Sequence, residues 1–381
     1  QYTGQPAVIP LGLTWEKSTT LNLGLDFAFL SNRLQFSGDI YQRKTTDMFT
    51  VGMSLPAVFG TDVPKGNYAD LTTKGFELSV SWRDQFQLAS KPFNYEVRFT
   101  LADYQSTIDK YNNPEKKLGD DYYYEGMKVG EIWGYETEGF FTSQADIDSH
   151  AKQPYFYAGA TAGQWLPGDI KFKDLNGDGV IDYGNNTVDN PGDQKIIGNS
   201  EPRFIYGINL SGDWNNFFVS AFFQGVGKQD WWPGSEASYF WGMYNRPYND
   251  MPKSHLGNIW TEENPNTYFP RLRGYSSEEP YAELNLKQTR YLQNIAYIRM
   301  KNIQLGYTLP KSFISKLRMQ NAKVYVSGEN LWSWSPFYKY SKDLDVEAVR
   351  GSDRDLTEGT SGNGYSYPIL KSVSFGLSVT F

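Results

Sequence analysis

Apolar and polar residues alternate with a period of two through much of the chain. Leu21, Leu23, Leu25, Phe27 and Phe29 are separated by Asn22, Gly24, Asp26 and Ala28. After a Ser31-Asn32-Arg33 turn, Leu34, Phe36 and Ile40 stand against Gln35, Ser37, Asp39 and Gln42. This period puts one set of side chains on each face of a strand, whereas a helix would scatter both sets around its circumference. The pattern returns at Phe76–Arg83, Phe93–Leu101, Phe204–Leu210, Ala322–Glu329 and Val373–Phe381, and in a strand that begins near Ile295 and ends at Tyr307. With Phe217–Gln224, which is apolar on both faces, nine strands are expected. Arg299-Met300-Lys301 breaks the alternation as a β-bulge would.

Such strands fit two settings: a soluble sheet with one face on a core, or a membrane barrel with one face on lipid. Glu77, Arg83, Glu96 and Arg98 put charges of both signs on the polar faces, which suits a wet lumen better than a packed core. No apolar run approaches the ~18 residues of a spanning helix, so any membrane crossing is made by strands closed into a barrel. Connection lengths agree with this. Counted back from Phe381 they alternate long and short: 335–369, 309–321, 227–290, 215–216, 103–201, 84–92, 49–71 and 31–33. Outer-membrane barrels have long extracellular loops and short periplasmic turns. The alternation requires the strand-like segment at 131–141 to stay inside the 103–201 loop. The expected fold is therefore an all-β, transmembrane antiparallel β-barrel with long extracellular loops at 103–201 and 227–290. Single-chain bacterial barrels are even-stranded, so nine strands read as the C-terminal part of a larger barrel, with about 13 more in a parent of ~22.

Composition narrows the picture. Aromatic residues make up 17% of the chain and charged residues 21%, with a mean hydropathy of −0.56, too aromatic for disorder. The absence of cysteine excludes disulfides, thiolate metal sites and a cysteine nucleophile. A net charge of −7 without a Lys/Arg block argues against a nucleic-acid footprint. Gln1–Leu11 has neither a basic start nor an apolar run, so the chain reads as mature or as a fragment.

Two stretches carry candidate chemistry. Asp174-Leu175-Asn176-Gly177-Asp178-Gly179-Val180-Ile181-Asp182 matches the first nine positions of a calcium loop. Asp174, Asn176 and Asp178 supply hard oxygens at alternate positions, Val180 its carbonyl, and Asp182 a direct or water-mediated contact. The twelfth position is Asn185, and Asp193 could complete the shell after an inserted excursion. A polar turn without an ion is the plain alternative. In the 227–290 loop, Trp231, Trp232, Tyr239, Trp241 and Tyr244 could stack on sugar faces, with Arg246 and its polar neighbours bonding hydroxyls. Alternatively, these rings pack the loop or join an interfacial girdle. No catalytic constellation stands out, because His150 and His255 both fall in predicted loops without a nucleophile beside them.

The chain also resembles a family. Leu13-Thr14-Trp15-Glu16-Lys17-Ser18-Thr19-Thr20 with Gly24-Leu25-Asp26-Phe27, Gly130-Glu131-Ile132-Trp133-Gly134-Tyr135, the calcium-type loop, Trp260-Thr261-Glu262-Glu263-Asn264-Pro265, Tyr297-Ile298-Arg299-Met300-Lys301-Asn302 and Gly328-Glu329-Asn330-Leu331 occur in the order found in TonB-dependent transporters of the SusC/RagA family. The resemblance implies a 22-stranded outer-membrane barrel and an N-terminal plug outside this sequence. It also implies coupling to the TonB complex through the missing N-terminal part, and a SusD-like surface lipoprotein lidding bound oligosaccharide or peptide. Implied further are a dimer of such transporter–lipoprotein pairs and a belt of outer-membrane lipid. Where the family carries an acidic twelfth calcium position this chain has Asn185, and where Asp-Pro-Glu is common it reads Asp345-Val346-Glu347. A passive porin or a structural barrel such as an adhesin is the alternative from the strand pattern alone.

Overall fold

A computed structural model describes residues 12–51, 64–119, 122–157, 164–235, 237–246, 248–273, 277–349 and 367–381. The chain opens with four long strands, β1 (Lys17–Phe29), β2 (Leu34–Val51), β3 (Lys65–Leu88) and β4 (Lys91–Lys110). A long connection follows, carrying β5 (Glu131–Tyr135), β6 (Thr137–Phe140), the short helix α1 (Gln144–Ser149), β7 (Ile170–Phe172) and β8 (Gln194–Asn199). Then come β9 (Arg203–Trp214) and β10 (Phe217–Lys228), a second long connection with β11 (Asp230–Trp231) and β12 (Gln293–Asn294), and finally β13 (Tyr297–Thr308), β14 (Asn321–Trp334) and β15 (Ser372–Thr380).

Nine of these strands form one antiparallel sheet in the order β1-β2-β3-β4-β9-β10-β13-β14-β15. Its register explains the alternation. Phe27, Phe36, Val80, Phe99, Ile208 and Phe223 stand in one line across six strands, while Asp26, Ser37, Ser79, Thr100, Gly207 and Gln224 form the adjacent line on the opposite face. A one-residue slip anywhere would interleave the two. The apolar face is bare: Leu21 is 77% and Phe375 87% exposed. The register also orients β10. Val219, Ala221 and Phe223 join the apolar face, and Phe218 and Phe222 point the other way, where the Phe218 ring lies over Gly306 and occupies the place of a Cβ there.

The sheet is open. β1 and β15 are its two edges, so these nine strands do not by themselves make the closed barrel that the pattern predicts. Short helical turns make the chain mostly rather than purely β. The bulge lies where expected, since the pairing of β13 with β10 and β14 passes from Met300 to Asn302 and skips Lys301.

Three of the short connections are tight turns with positive φ. Ala89-Ser90 and Asn215-Asn216 take φ values of +49°, +61°, +48° and +70°, the two-residue geometry that matches strand twist. β3 and β4 are longer than expected, so the 84–92 connection contracts to Ala89-Ser90 and the long loop expected from residue 103 begins after Lys110. The extra pairing, such as Leu71 with Ile108 and Thr73 with Ser106, rests on backbone hydrogen bonds in a stretch that does not alternate. At 24 and 20 residues these strands exceed the ~9–11 that cross a bilayer, so they project beyond it.

At the end opposite the tight turns, the long connections fold together. β5 pairs with β8, β6 with β7 and β11 with β12, each pair outside the main sheet, so the strand-like 131–141 segment does stay within its loop. A single apolar core collects Tyr135, Phe156 and Phe172 from one connection, Trp241, Phe269 and Tyr291 from the next, and Phe337, Leu344 and Val346 from the last. The loops are thus a folded body. Arg203 grips Asp103 with two 2.6 Å hydrogen bonds where that body joins the sheet.

Candidate functional site

The loop body holds every residue with candidate chemistry. In the Asp174–Asp182 stretch, each acidic or amide side chain turns the backbone on itself. Asp174 accepts the Gly177 and Gly179 N–H groups at 2.6 and 2.9 Å, Asn176 that of Asp178 at 2.9 Å, Asp178 that of Val180 at 2.8 Å, and Asp182 that of Gly184 at 2.8 Å. Gly177 and Gly179 sit at φ +77° and +83°, which a side chain would strain. The loop docks through a bridge that uses the Gly179 carbonyl and the Ile181 N–H against Lys152, leaving the Val180 carbonyl outside it.

Asp193, wholly buried, reaches back over the loop. One carboxylate oxygen accepts the Leu175 N–H at 2.7 Å and the other the Asp182 N–H at 2.9 Å. Burial, reinforced by the nearby Asp174, pushes its carboxyl above the usual carboxylate range against these donors. Among the described residues, no three Asp, Glu or His side chains converge as a ready-made metal cluster. The donors that do line the loop are the three carboxylates of Asp174, Asp178 and Asp182, the Asn176 amide oxygen and the Val180 carbonyl. All are hard oxygens, the chemistry of a calcium ligand set.

The aromatic residues of the 227–290 loop divide by burial. Trp231 is 4% exposed, and Trp241 and Tyr244 are fully buried. Trp241 donates its indole N–H to the Pro233 and Gly234 carbonyls, and Tyr244 its hydroxyl to the Pro270 carbonyl at 2.6 Å. Their rings pack edge-on or stacked against Phe240, Phe269 and Tyr291. These three therefore build the core of the loop body and offer no face to a ligand there. Trp232 is half-buried beside Trp241, while Tyr239 and Arg246 are exposed.

Polar groups are also buried behind this core. Arg273 forks onto buried Asp169 at 3.1 and 2.5 Å, and Glu283, wholly buried, accepts the Ile170 N–H at 2.7 Å with one oxygen while the other has no hydrogen-bond partner among the described residues. Burial and the neighbouring Asp169 hold the Glu283 carboxyl well above the carboxylate range. The two histidines are structural. His150 meets the Phe172 carbonyl at 2.7 Å, and His255, 1% exposed, meets that of Phe240 at 2.9 Å with its ring 4.0 Å from Phe269. Of the acidic residues, Glu136 is engaged by Lys173 and Lys195.

The structure also brings together residues that no local pattern links. Trp133 and Tyr135 of β5, Tyr183 just past the calcium-type loop, and Tyr281 line a cleft of about 440 Å3. Asp345 and Glu347 of the last connection contact Arg299 at 2.5 and 2.8 Å, and Lys301 bonds Glu347 at 2.7 Å. The bulge in β13 thereby anchors the Asp345-Val346-Glu347 stretch.

A sheet with one apolar and one polar face, tight turns at one end and a folded loop body at the other defines a segment of an outer-membrane β-barrel. Comparisons with known proteins agree. The chain is 28% identical over 387 residues to TonB-dependent receptor P3 of Formosa agariphila, covering 97% of this chain and 34% of that protein. It is 23% identical to TonB-dependent receptor SusC of Bacteroides thetaiotaomicron, covering all of this chain and 33% of that protein. Among solved structures, a chain of the RagAB peptide importer in its closed-closed state superposes with a TM-score of 0.68 at 20% identity, over 97% of this chain and 36% of that one. No protein-family model matches. The chain is thus similar over nearly its whole length to TonB-dependent receptors, SusC among them, and it spans about a third of their length.

Proposed function

We propose that this chain is the wall and loop body of an energy-coupled outer-membrane importer of oligosaccharides or peptides. Substrate is captured at the surface between the loops and a SusD-like lipoprotein, and a plug driven through the TonB complex releases it inward. The observation that carries this reading is the joining of three long connections by one core above a two-faced sheet. A passive pore needs no such body, whereas a receptor needs a rigid surface on which substrate and a partner can dock. The likeness to a chain of the RagAB peptide importer supports a peptide cargo and a two-component assembly, and the likeness to SusC and its relatives supports coupling to TonB.

In the same reading, Asp174, Asn176, Asp178, the Val180 carbonyl and Asp182 hold a calcium ion. Asp193 shapes the loop around it, and Asn185 leaves the twelfth position without a carboxylate. The ion would staple the loop, a structural role.

Three measurements test these statements. The intact source protein should have roughly three times the 43.5 kDa of this chain, given that the chain covers 34% of a relative. Its deletion should abolish growth on, and uptake of, its substrate in a manner that needs an energised TonB complex. Uptake that persists without that complex would refute the importer. For the ion, calcium should protect the 164–199 segment of the full-length receptor from protease, and cleavage indifferent to calcium would refute it.

A further inference from the structure

We infer that the lipid-facing side of β1–β3, where Lys17, Lys44 and Lys74 stand just beyond the apolar rows, binds the phosphate of an outer-leaflet glycolipid headgroup. The inference rests on the barrel placement alone and is independent of what the receptor carries. The register locates the three cations. Leu23, Ile40 and Phe76 form one line of the apolar face. The next line on that face toward the loop end holds Leu21, Gln42, Lys74 and Gln105, the one after it Thr19, Lys44, Thr72 and Thr107, and Lys17 follows opposite Thr46. Lys44 is therefore the diagonal neighbour of both Lys74 and Lys17, and positions so related lie ~7–8 Å apart, a spacing that lets long side chains converge on one group. All three lysines are exposed.

The protein itself does little to balance these charges. Among the described residues, no carboxylate pairs with Lys44 or Lys74, and Lys17, its side chain 70% exposed, meets Asp47 at 3.4 Å. Other acids at this end of the strands are engaged elsewhere: Asp103 by Arg203, Asp70 by the Asp47 N–H and Asp109 by the Thr72 hydroxyl. Three like charges at this spacing repel one another, and a phosphate seated among them turns that repulsion into charge-assisted hydrogen bonds.

Position selects a lipid over a soluble anion. The loop end of an outer-membrane barrel is extracellular, so the lysines stand at the headgroup level of the outer leaflet, whose glycolipid carries phosphate. Their alkyl stems lie along apolar surface while the ammonium groups reach the headgroup layer. Leu21, Leu23 and Ile40, 77%, 69% and 59% exposed, offer acyl chains a surface directly below. A lipid held there by its chains presents its phosphate to the lysines at high effective concentration, and basic clusters beside a membrane recognise anionic headgroups in this way. On β13 and β14 the same face at the loop end carries Trp334 and Trp332, opposite Ile298 and Met300, so rings rather than cations mark the interface there.

The test uses the full-length receptor purified in detergent. The probes are phosphorylated lipid A and the same lipid A stripped of its phosphates, and native mass spectrometry counts what the receptor retains. Lys17→Gln/Lys44→Gln/Lys74→Gln removes the charges, while the corresponding triple arginine variant keeps them and shows that the barrel tolerates substitution at these positions. Expected is retention of phosphorylated lipid A in preference to the stripped form. Affinity should fall about fivefold for each lysine replaced by glutamine, hence ~100-fold for all three, and persist in the arginine variant. Equal retention of the two probes would mean that acyl chains alone bind, and it overturns the inference, as does a preference that survives in the triple glutamine variant. Displacement of the lipid by millimolar inorganic phosphate would assign the site to a soluble anion, and release by a chelator would assign the bond to a bridging divalent cation; either result overturns it. Because no cargo enters the assay, failure of TonB-dependent uptake would refute the importer and leave this site standing.

Discussion

Truncating Arg299 to alanine should release the last long connection from the barrel. The guanidinium side chain is 4% exposed, and that of Asp345 is 8% exposed. Arg299 bonds Asp345 at 2.5 Å and makes an ion contact of 2.8 Å with Glu347 that is not aligned as a hydrogen bond. Among the described residues, Glu347 then keeps Lys301 as its one cation, and Asp345 keeps the Glu347 and Ile369 N–H groups at 3.0 and 3.1 Å. Leaving buried charge uncompensated in this way costs about 3–5 kcal/mol. At 1.4 kcal/mol per factor of ten, the opening equilibrium of the segment around Val346 should rise ~100-fold or more. Hydrogen exchange of residues 336–349 in the full-length receptor reads this directly, while exchange in β1–β4 should not change. Replacing Arg299 by Met together with Asp345 and Glu347 by Leu and Met should cost much less than Arg299→Ala, because the buried charges leave together and Lys301, which loses Glu347, is 23% exposed and can turn to water. Unchanged exchange at 336–349 in the single variant would refute the anchoring argument. A triple variant as exposed as the single one would show that shape rather than charge holds the segment.

Three further outcomes are expected. Trp241→Ala should cost about 3–5 kcal/mol in the loop body, since the ring is fully buried and its N–H bonds two carbonyls, and limited proteolysis should then cut near 237–246 while the sheet stays resistant. Asp193→Ala strands the Leu175 and Asp182 N–H groups and should cost about 1–3 kcal/mol locally, seen as faster exchange across 174–183; exchange as slow as in the parent would remove the clamp. His255 is held below its ordinary pKa by burial, so the unfolded loop takes up a proton that the folded one refuses as pH falls below about 6.5. The His255 contribution should therefore be complete above that pH and be lost on acidification, opposite in sign to that of the raised Asp193 and Glu283 carboxyls, and His255→Phe should remove that part of the dependence measured by proteolysis between pH 5 and pH 8.

Much of the sheet is legible in the chain because its two faces meet different solvents. Val373–Phe381 alternates strictly, and β15 forms there. Where strands rise out of the apolar zone, as at Lys65–Gly75 and Tyr104–Lys110, selection for alternation ends and pairing rests on backbone bonds, so these lengths could not be read. The calcium-type loop is legible for a local reason, since glycines at fixed places allow a turn that its own carboxylates close. The aromatic loop reads two ways. A run of aromatics such as Trp241 and Tyr244 looks the same whether it is displayed or packs the loop, and the decision is made by partners such as Phe269 and Tyr291, which lie on other turns of chain.

The sequence by itself thus determined where the nine long strands run, if not how far β3 and β4 extend, which face of each but β10 is apolar, where β13 bulges, and that a hard-oxygen turn sits in the first long connection. All of these follow from periodicity or spacing within about a dozen residues. Only the tertiary structure decided that the loops share one core, that Arg299 holds Asp345 and Glu347, that Asp193 caps the Asp174 loop, and that Tyr155, Tyr183 and Tyr281 form one row. These contacts join positions far apart in the chain. Their energies come from burial and charge pairing, which depend on where segments meet, and no local pattern encodes that meeting.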